Sequence, residues 1–357
     1  MLSQQGPDAW FATANQIALN VAHGVDGDPN PLPAERARLE ELAPLVHRHV
    51  DALFGVAREP QLEVVNRSGL TSAALVEWRP LLEVLATTPP AISSELLEAN
   101  PMMAQLASTM GPLFLGFQMG SIAGHFSERA WSLAVLPLPR VTAKSLIEVN
   151  NLVAFAEAWS LERDEVYMFA LAQEFVAALL LTQPGTGDAL RALLADSIRE
   201  AQETQGDIMT RLQGMMQSGD PSELMANPES LLDGLALPTS SVATDAINAA
   251  CGTLIAFINA AAMSITEALL GARPLLVEAY RRHRRSDARG EDAASALFGI
   301  ATQGEHHDRA EKFVIAIRAQ HGLGVFDAFL RVDGLVSALE LDVPEMWFER
   351  VTHSPLA

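Results

Sequence analysis

Gly116, Gly120 and Gly124 recur at every fourth position of a largely apolar stretch, and this spacing constrains the fold more than any other feature of the chain. Residues four apart lie on one face of an α-helix. Three missing side chains in a row therefore let another backbone approach closely. In lipid such a row marks helix dimerisation. The stretch from Pro112 to Trp131, however, also carries Gln118, His125, Glu128 and Arg129, too polar a set to span a bilayer. The row reads as tight helix packing inside a soluble core, with a ligand groove as the lesser alternative.

The rest of the chain favours the same outcome. Ala, Leu, Glu, Gln, Met and Arg dominate its 357 residues, and β-branched runs are few and short, which biases the whole toward helix. Hydrophobic residues make up 49% and charged residues 19%, a balance that suits a packed globule and not a disordered chain. Periodicity predicts helices over residues 9–22, up to about 54 with Pro44 as a kink, 72–86, 91–110, and onward through the glycine row until Pro137 and Pro139. Further helices are predicted over 152–158, 162–181 with Ser160 as its cap, 188–205, 243–270, 274–285, 292–298, 308–321 and 324–330. Only 61–65 and 145–149 read as strands, with Asn66–Gly69 and Asn150–Asn151 as the turns after them. The class is mainly α with a minor β element. Residues 206–241, where Met209, Met215, Met216 and Met225 sit among Gly, Ser, Asp and Pro, read as a mobile insertion.

Charge and cysteine usage narrow the function. A formal net charge of -20 and a pI of about 4.8 oppose nonspecific binding to nucleic acid or anionic lipid. Cys251 is the only cysteine, so neither an intrachain disulfide nor a Cys-based zinc cluster can form. It reads as a small buried hydrophobe. The N-terminus lacks a basic segment followed by an apolar one, and the expected location is cytoplasmic. No GxGxxG, Walker A loop, GxSxG elbow or SxxK pair occurs, which removes most nucleotide and acyl-transfer readings.

Two clusters are candidates for binding. Arg281-Arg282-His283-Arg284-Arg285, with Arg273 and Arg289, offers a grip on phosphate or carboxylate. Its charges spread around a helix, so a solvated helix end is the favoured reading. Glu305-His306-His307-Asp308 offers metal-capable atoms, but adjacent histidines rarely converge on one ion, because helical metal pairs want i,i+4 spacing. Exposed loop histidines are the expectation there.

The central segments carry a family likeness. From Gly111 the chain reads GPLFLGFQMGSIAGHFSERA, then LPLPR, then SLIEVNNLVAFAEAWSLERDEVYMFALAQEFVAALLL; Val64-Val65-Asn66-Arg67 lies upstream and YRRHRR, ASALFGI and DVPEMWFERV downstream. Taken in this order over most of residues 9–351, and most weakly from about 185 to 250, the set resembles the zincin-like hydrolase or zinc-dependent metalloprotease family of unknown function from high-GC Gram-positive bacteria. The resemblance implies one zincin-like helical domain spanning 1–357.

It also implies where a site belongs. Members that keep the site have HExxH on the helix after the AFAEAW-like turn. Histidines at i and i+4 share a helix face and clamp zinc, and the intervening Glu activates the zinc-bound water. Here those positions are Gln173, Glu174 and Ala177, and the later acidic position falls on Asn259. A neutral amide oxygen is a poor zinc ligand and alanine is none. The expectations are therefore that no catalytic set is intact at these vestigial positions, that no metal or other cofactor is bound although intact relatives bind zinc, and that Glu174 is a helix carboxylate with a hydrogen-bond or ion-pair partner. The chain reads as a non-catalytic relative of metallohydrolases that acts by binding or regulation on a protein partner. The alternatives are a hydrolase or peptidase using a non-standard site in the same cleft, metal-dependent or not, and a structural homo-oligomer.

Overall fold

The computed structural model describes residues 9–24, 27–56, 61–87, 101–183, 185–200, 241–285, 300, 305–331 and 334–353. The expected insertion over 206–241, apart from its last residue, and the expected helix over 292–298 lie outside the described residues. The architecture is mainly α with a small β element, as the composition predicts. Helix α1 is Ala9–His23, α2 Pro33–Phe54, α3 Arg67–Thr87 and α4 Pro101–Ser127. After these come α5 Val149–Trp159, α6 Arg163–Leu181, α7 Gly185–Glu200, α8 Val242–Leu270, α9 Pro274–Arg285, α10 Glu305–His321, α11 Val325–Ala328 and α12 Pro344–Thr352. Strands β1 (Leu62–Val65) and β2 (Ser145–Glu148) pair in parallel, Leu62 opposite Ser145 and Val65 opposite Glu148. A parallel pair needs a long crossover, and α3 and α4 supply it.

The glycine row lies where α4 crosses α1. A Cβ at Gly116 would sit 2.6 Å from the Trp10 carbonyl oxygen, and one at Gly124 would sit 2.5 Å from the Val21 Cβ. Gly120 faces the Ala14 carbonyl oxygen in the same way. On the α1 side of this contact Trp10, Ala14 and Ala18 are buried. The row therefore works as tight helix packing.

At the centre lies α6, of which every residue from Val166 to Leu181 is buried. A helix apolar on all sides must be enclosed, and α2, α5, α8 and β2 enclose this one. The described helix long and apolar enough to cross a membrane is α8, but 56% of its most apolar window is buried inside the molecule, as in a core helix. Cys251 on α8 is fully buried, and burial pushes its thiol up to about 12, as a small hydrophobe requires.

Several element boundaries differ from the sequence reading, each for a reason of capping. Asn66–Gly69 is the start of α3: the Asn66 Oδ1 accepts from the Gly69 N–H at 3.0 Å, and the Asp28 carboxylate accepts from Arg67 and Ser68 N–H at 3.0 and 2.8 Å. Ser160 does not cap α6. It adopts a left-handed conformation (φ 53°) that closes α5. The glycine-row helix stops at Ser127, ten residues before Pro137, because the Asn151 amide takes the carbonyls of Ser127 and Ala130 at 2.9 and 2.8 Å.

Glu148 opens α5 by accepting from the N–H groups of Asn150 and Asn151 at 3.2 and 2.6 Å. Burial nevertheless pushes its carboxyl up to about 7, against those hydrogen bonds and the charge of Arg67, with Asp28 adding to the rise. A carboxyl that holds its proton more tightly in the folded state stabilises most below its ordinary value of 4.5 and loses that contribution as pH rises through 7. Glu148→Gln removes the titration. The stability advantage of wild type over this variant, measured by urea unfolding, is expected to fall by on the order of 2 kcal/mol between pH 5 and pH 8. A difference that does not vary with pH would show that Glu148 is ionised throughout.

Candidate functional site

Gln173, Glu174 and Ala177 lie in the buried middle of α6, and Asn259 lies on the facing helix α8. The structure brings Gln173 and Asn259 into direct contact and turns Glu174 elsewhere. Glu174 is fully buried and forms a two-pronged ion pair with Arg140, Nη1 to Oε1 at 2.7 Å and Nη2 to Oε2 at 3.0 Å. The same carboxylate accepts the Leu146 N–H from β2 at 3.1 Å and the Ala134 N–H from the short 3-10 helix Leu133–Val135 at 3.2 Å. Each oxygen thus holds one guanidinium bond and one backbone bond. The Arg140 segment is itself fixed, by its N–H on the Leu181 carbonyl at 3.3 Å and by the Glu77 carboxylate on the Val141 and Thr142 N–H groups at 2.6 and 2.8 Å. The expectation that Glu174 has a partner holds. LPLPR contained that partner, but 34 residues of separation hid the pairing.

Gln173 belongs to a different network. Its Oε1 accepts the Trp131 indole N–H at 3.1 Å and its Nε2 donates to the Asn259 Oδ1 at 2.7 Å. The Tyr280 hydroxyl donates to the same Asn259 oxygen at 3.0 Å. Burial raises the Tyr280 pKa and keeps the phenol a donor, although the Arg284 charge and the contacts with Gln173 and Asn259 pull the other way. Ala177, one turn along from Gln173, is fully buried and offers no heteroatom.

Asn259 and Tyr280 also line a cavity of about 530 Å³ between α8, α9 and α10. Arg281, Arg284 and Arg318 reach it, as do His307, Glu311, Asp308 and Glu267, and Ala260, Met263, Val277 and Val314 form apolar wall. Two sequence expectations change here. The basic cluster is divided: Arg282 pairs with Glu278 at 2.6 Å and His283 stacks on Trp131 at 5.2 Å, while Arg281 and Arg284 face the cavity. His307 is not an exposed loop histidine. It sits on α10 with its side chain 12% exposed, its Nε2 2.9 Å from Arg284 and 3.3 Å from Glu311 one turn along. The i,i+4 relation of His307 and Glu311 is present in the sequence, but nothing in the sequence shows that His307 is buried against α9.

The comparisons with known proteins agree with this architecture. The family described as "Zincin-like metallopeptidase" matches residues 10–348, and the chain belongs to that family. The fold is similar to a crystal structure from Chloroflexus aurantiacus described as "a putative hydrolase with a novel fold", at a TM-score of 0.64 and 14% identity, covering 96% of this chain and 99% of that one. At that identity the likeness concerns the fold alone. No curated protein matches the chain.

Family membership corrects the expectation that no cofactor belongs to this chain, because a zincin-like metallopeptidase family implies zinc. The residues that the sequence reading aligns with HExxH do not fit that ion. Two neutral amides are spent on each other and on Trp131, Ala177 has no donor, and the Glu174 carboxylate is saturated by a guanidinium and two backbone N–H groups. Among the described residues no group of three His, Cys, Asp or Glu side chains is arranged to hold a metal.

Proposed function

We propose that this member of the zincin-like metallopeptidase family acts by binding and does not hydrolyse peptides at the HExxH position. The observation that carries this reading is the commitment of Glu174. A carboxylate that activates a metal-bound water must offer it a lone pair, whereas all four hydrogen bonds here go to Arg140, Ala134 and Leu146. The altered positions Gln173, Ala177 and Asn259 support the same reading as a degenerate HExxH site, and the chain is taken as one domain that works in the cytoplasm.

The test is a peptidase and esterase assay on the full chain with and without added zinc, together with a rebuilt site. Wild type is expected to give no turnover above a blank in either condition. Gln173→His, Ala177→His and Asn259→Glu together are expected to raise zinc affinity at least about tenfold over wild type, because they restore two imidazoles on one helix face and a carboxylate opposite. Zinc-dependent turnover by wild type would sink the reading, and a folded triple variant with unchanged zinc affinity would show that the family site lies elsewhere.

One observation favours a second reading, a metal-independent hydrolase. His47 Nδ1 lies 3.2 Å from Asp51 Oδ2, and both line a separate cavity of about 360 Å³ with Ser145. Carboxylate, imidazole and hydroxyl in one cavity are the parts of a nucleophilic site. If zinc-independent turnover appears and Ser145→Ala abolishes it, this reading replaces the first.

A further inference from the structure

A single donor sets the polarity of the amides behind the large cavity. The Trp131 indole nitrogen can only donate, so the Gln173 atom facing it at 3.1 Å is the oxygen. The Gln173 nitrogen is then the atom 2.7 Å from Asn259, which makes the facing Asn259 atom its oxygen, and the Tyr280 hydroxyl donates to that oxygen as well. The Asn259 NH2 is thereby left out of this network. Among the described residues it meets no acceptor, and Asn259 lines the 530 Å³ cavity. The core thus fixes a pair of N–H donors at the cavity wall.

Guanidinium groups complement them. The Arg281 and Arg318 side chains form no hydrogen bond or ion pair among the described residues, and Arg318 lies over the Phe326 ring at 5.6 Å. Among the described residues, Glu311 is the one of the three acids lining the cavity that is held by a neighbouring side chain, His307. The contact with His307, with the charges of Arg281 and Arg284, holds the Glu311 carboxyl below its ordinary value. Three arginines (281, 284 and 318) face three acids (Glu267, Asp308 and Glu311), so the lining does not favour a doubly charged phosphate. It suits one negative charge spread over two acceptor oxygens, attached to an aliphatic body that covers Ala260, Met263, Val277 and Val314.

We propose that this cavity binds an organic carboxylate with an aliphatic body, its head group received by the Asn259 NH2 and the Arg281 guanidinium. This deepens the binding function proposed above and rests on it, since a hydrolase would release such a carboxylate as product. The carboxylate has two sources, a free aliphatic acid or the C-terminus of a peptide.

The test is calorimetric titration of the full chain with 4-methylpentanoate, N-acetyl-leucine and the neutral N-acetyl-leucinamide. At least one carboxylate is expected to bind saturably and the amide not at all. The tighter of the two acids identifies the source. Asn259→Asp keeps an oxygen for Gln173 and Tyr280 but presents oxygen in place of NH2 to the cavity, and it is expected to weaken binding at least tenfold. Arg281→Ser, at an exposed position, is expected to do the same and decides the matter if Asn259→Asp does not fold. Binding of the amide as tight as the acids, absence of binding by both acids, or full affinity in the folded variants would overturn the proposal. Turnover of N-acetyl-leucine ethyl ester by wild type would instead overturn the non-hydrolytic reading and is scored separately from the titration.

Discussion

Arg140→Met is expected to lower the free energy of unfolding by about 3–5 kcal/mol. The Glu174 carboxylate is fully buried, so losing the guanidinium leaves a negative charge with two backbone N–H partners and no counter-ion. Desolvation of an unpaired charge costs more than any packing gain from the methionine returns. The loss is expected to extend beyond the pair, because Glu174 also ties β2 and the Leu133–Val135 turn to α6 through Leu146 and Ala134. Adding Glu174→Gln should recover part of the stability, since the amide removes the charge and keeps an oxygen for the Leu146 N–H. Urea unfolding of the single and double variants measures both effects. If Arg140→Met unfolds within about 1 kcal/mol of wild type, the pair is solvated, and the argument from a saturated Glu174 fails with it.

Gly120→Leu is expected to cost several kcal/mol or to prevent folding altogether. Its Cβ would lie 2.8 Å from the Ile17 Cβ and closer still to the Ala14 carbonyl oxygen, and that oxygen belongs to a helix backbone that cannot rotate away. Gly324→Ala serves as the control. A Cβ there meets nothing within 4 Å, and the change should stay within about 0.5 kcal/mol. Thermal unfolding of the two variants separates a helix contact from a general intolerance of substitution. Equal melting temperatures would mean that α1 and α4 do not meet in solution.

Local physics was legible in the chain. The glycine spacing announced a close helix contact, because fourfold periodicity maps onto a helix face whatever the partner is. The enclosure of α6 could be read from apolar residues on every side of it. Both strands were found from their short β-favouring runs, each within a residue of its observed bounds. Boundaries set by distant side chains were not legible. Asn151 ends α4 across a gap of 24 residues and Asp28 starts α3 across 39.

The same division holds for the site. Gln173, Glu174, Ala177 and Asn259 were singled out because a helix presents i and i+4 together and the family resemblance suggested the register. What those residues do was decided by groups far away in the chain. Arg140 neutralises Glu174, and Trp131 orients Gln173 and through it Asn259. Tyr280 closes the network beside a cavity that α8, α9 and α10 form only when packed. The sequence by itself determined the helical class and the absence of imidazole at positions 173 and 177, because both depend on residue identity and short spacing. The tertiary structure alone decided that Glu174 is saturated and that Asn259 joins Gln173 and Tyr280 at the wall of a cavity, because hydrogen-bond partners and burial are set by packing between segments tens of residues apart.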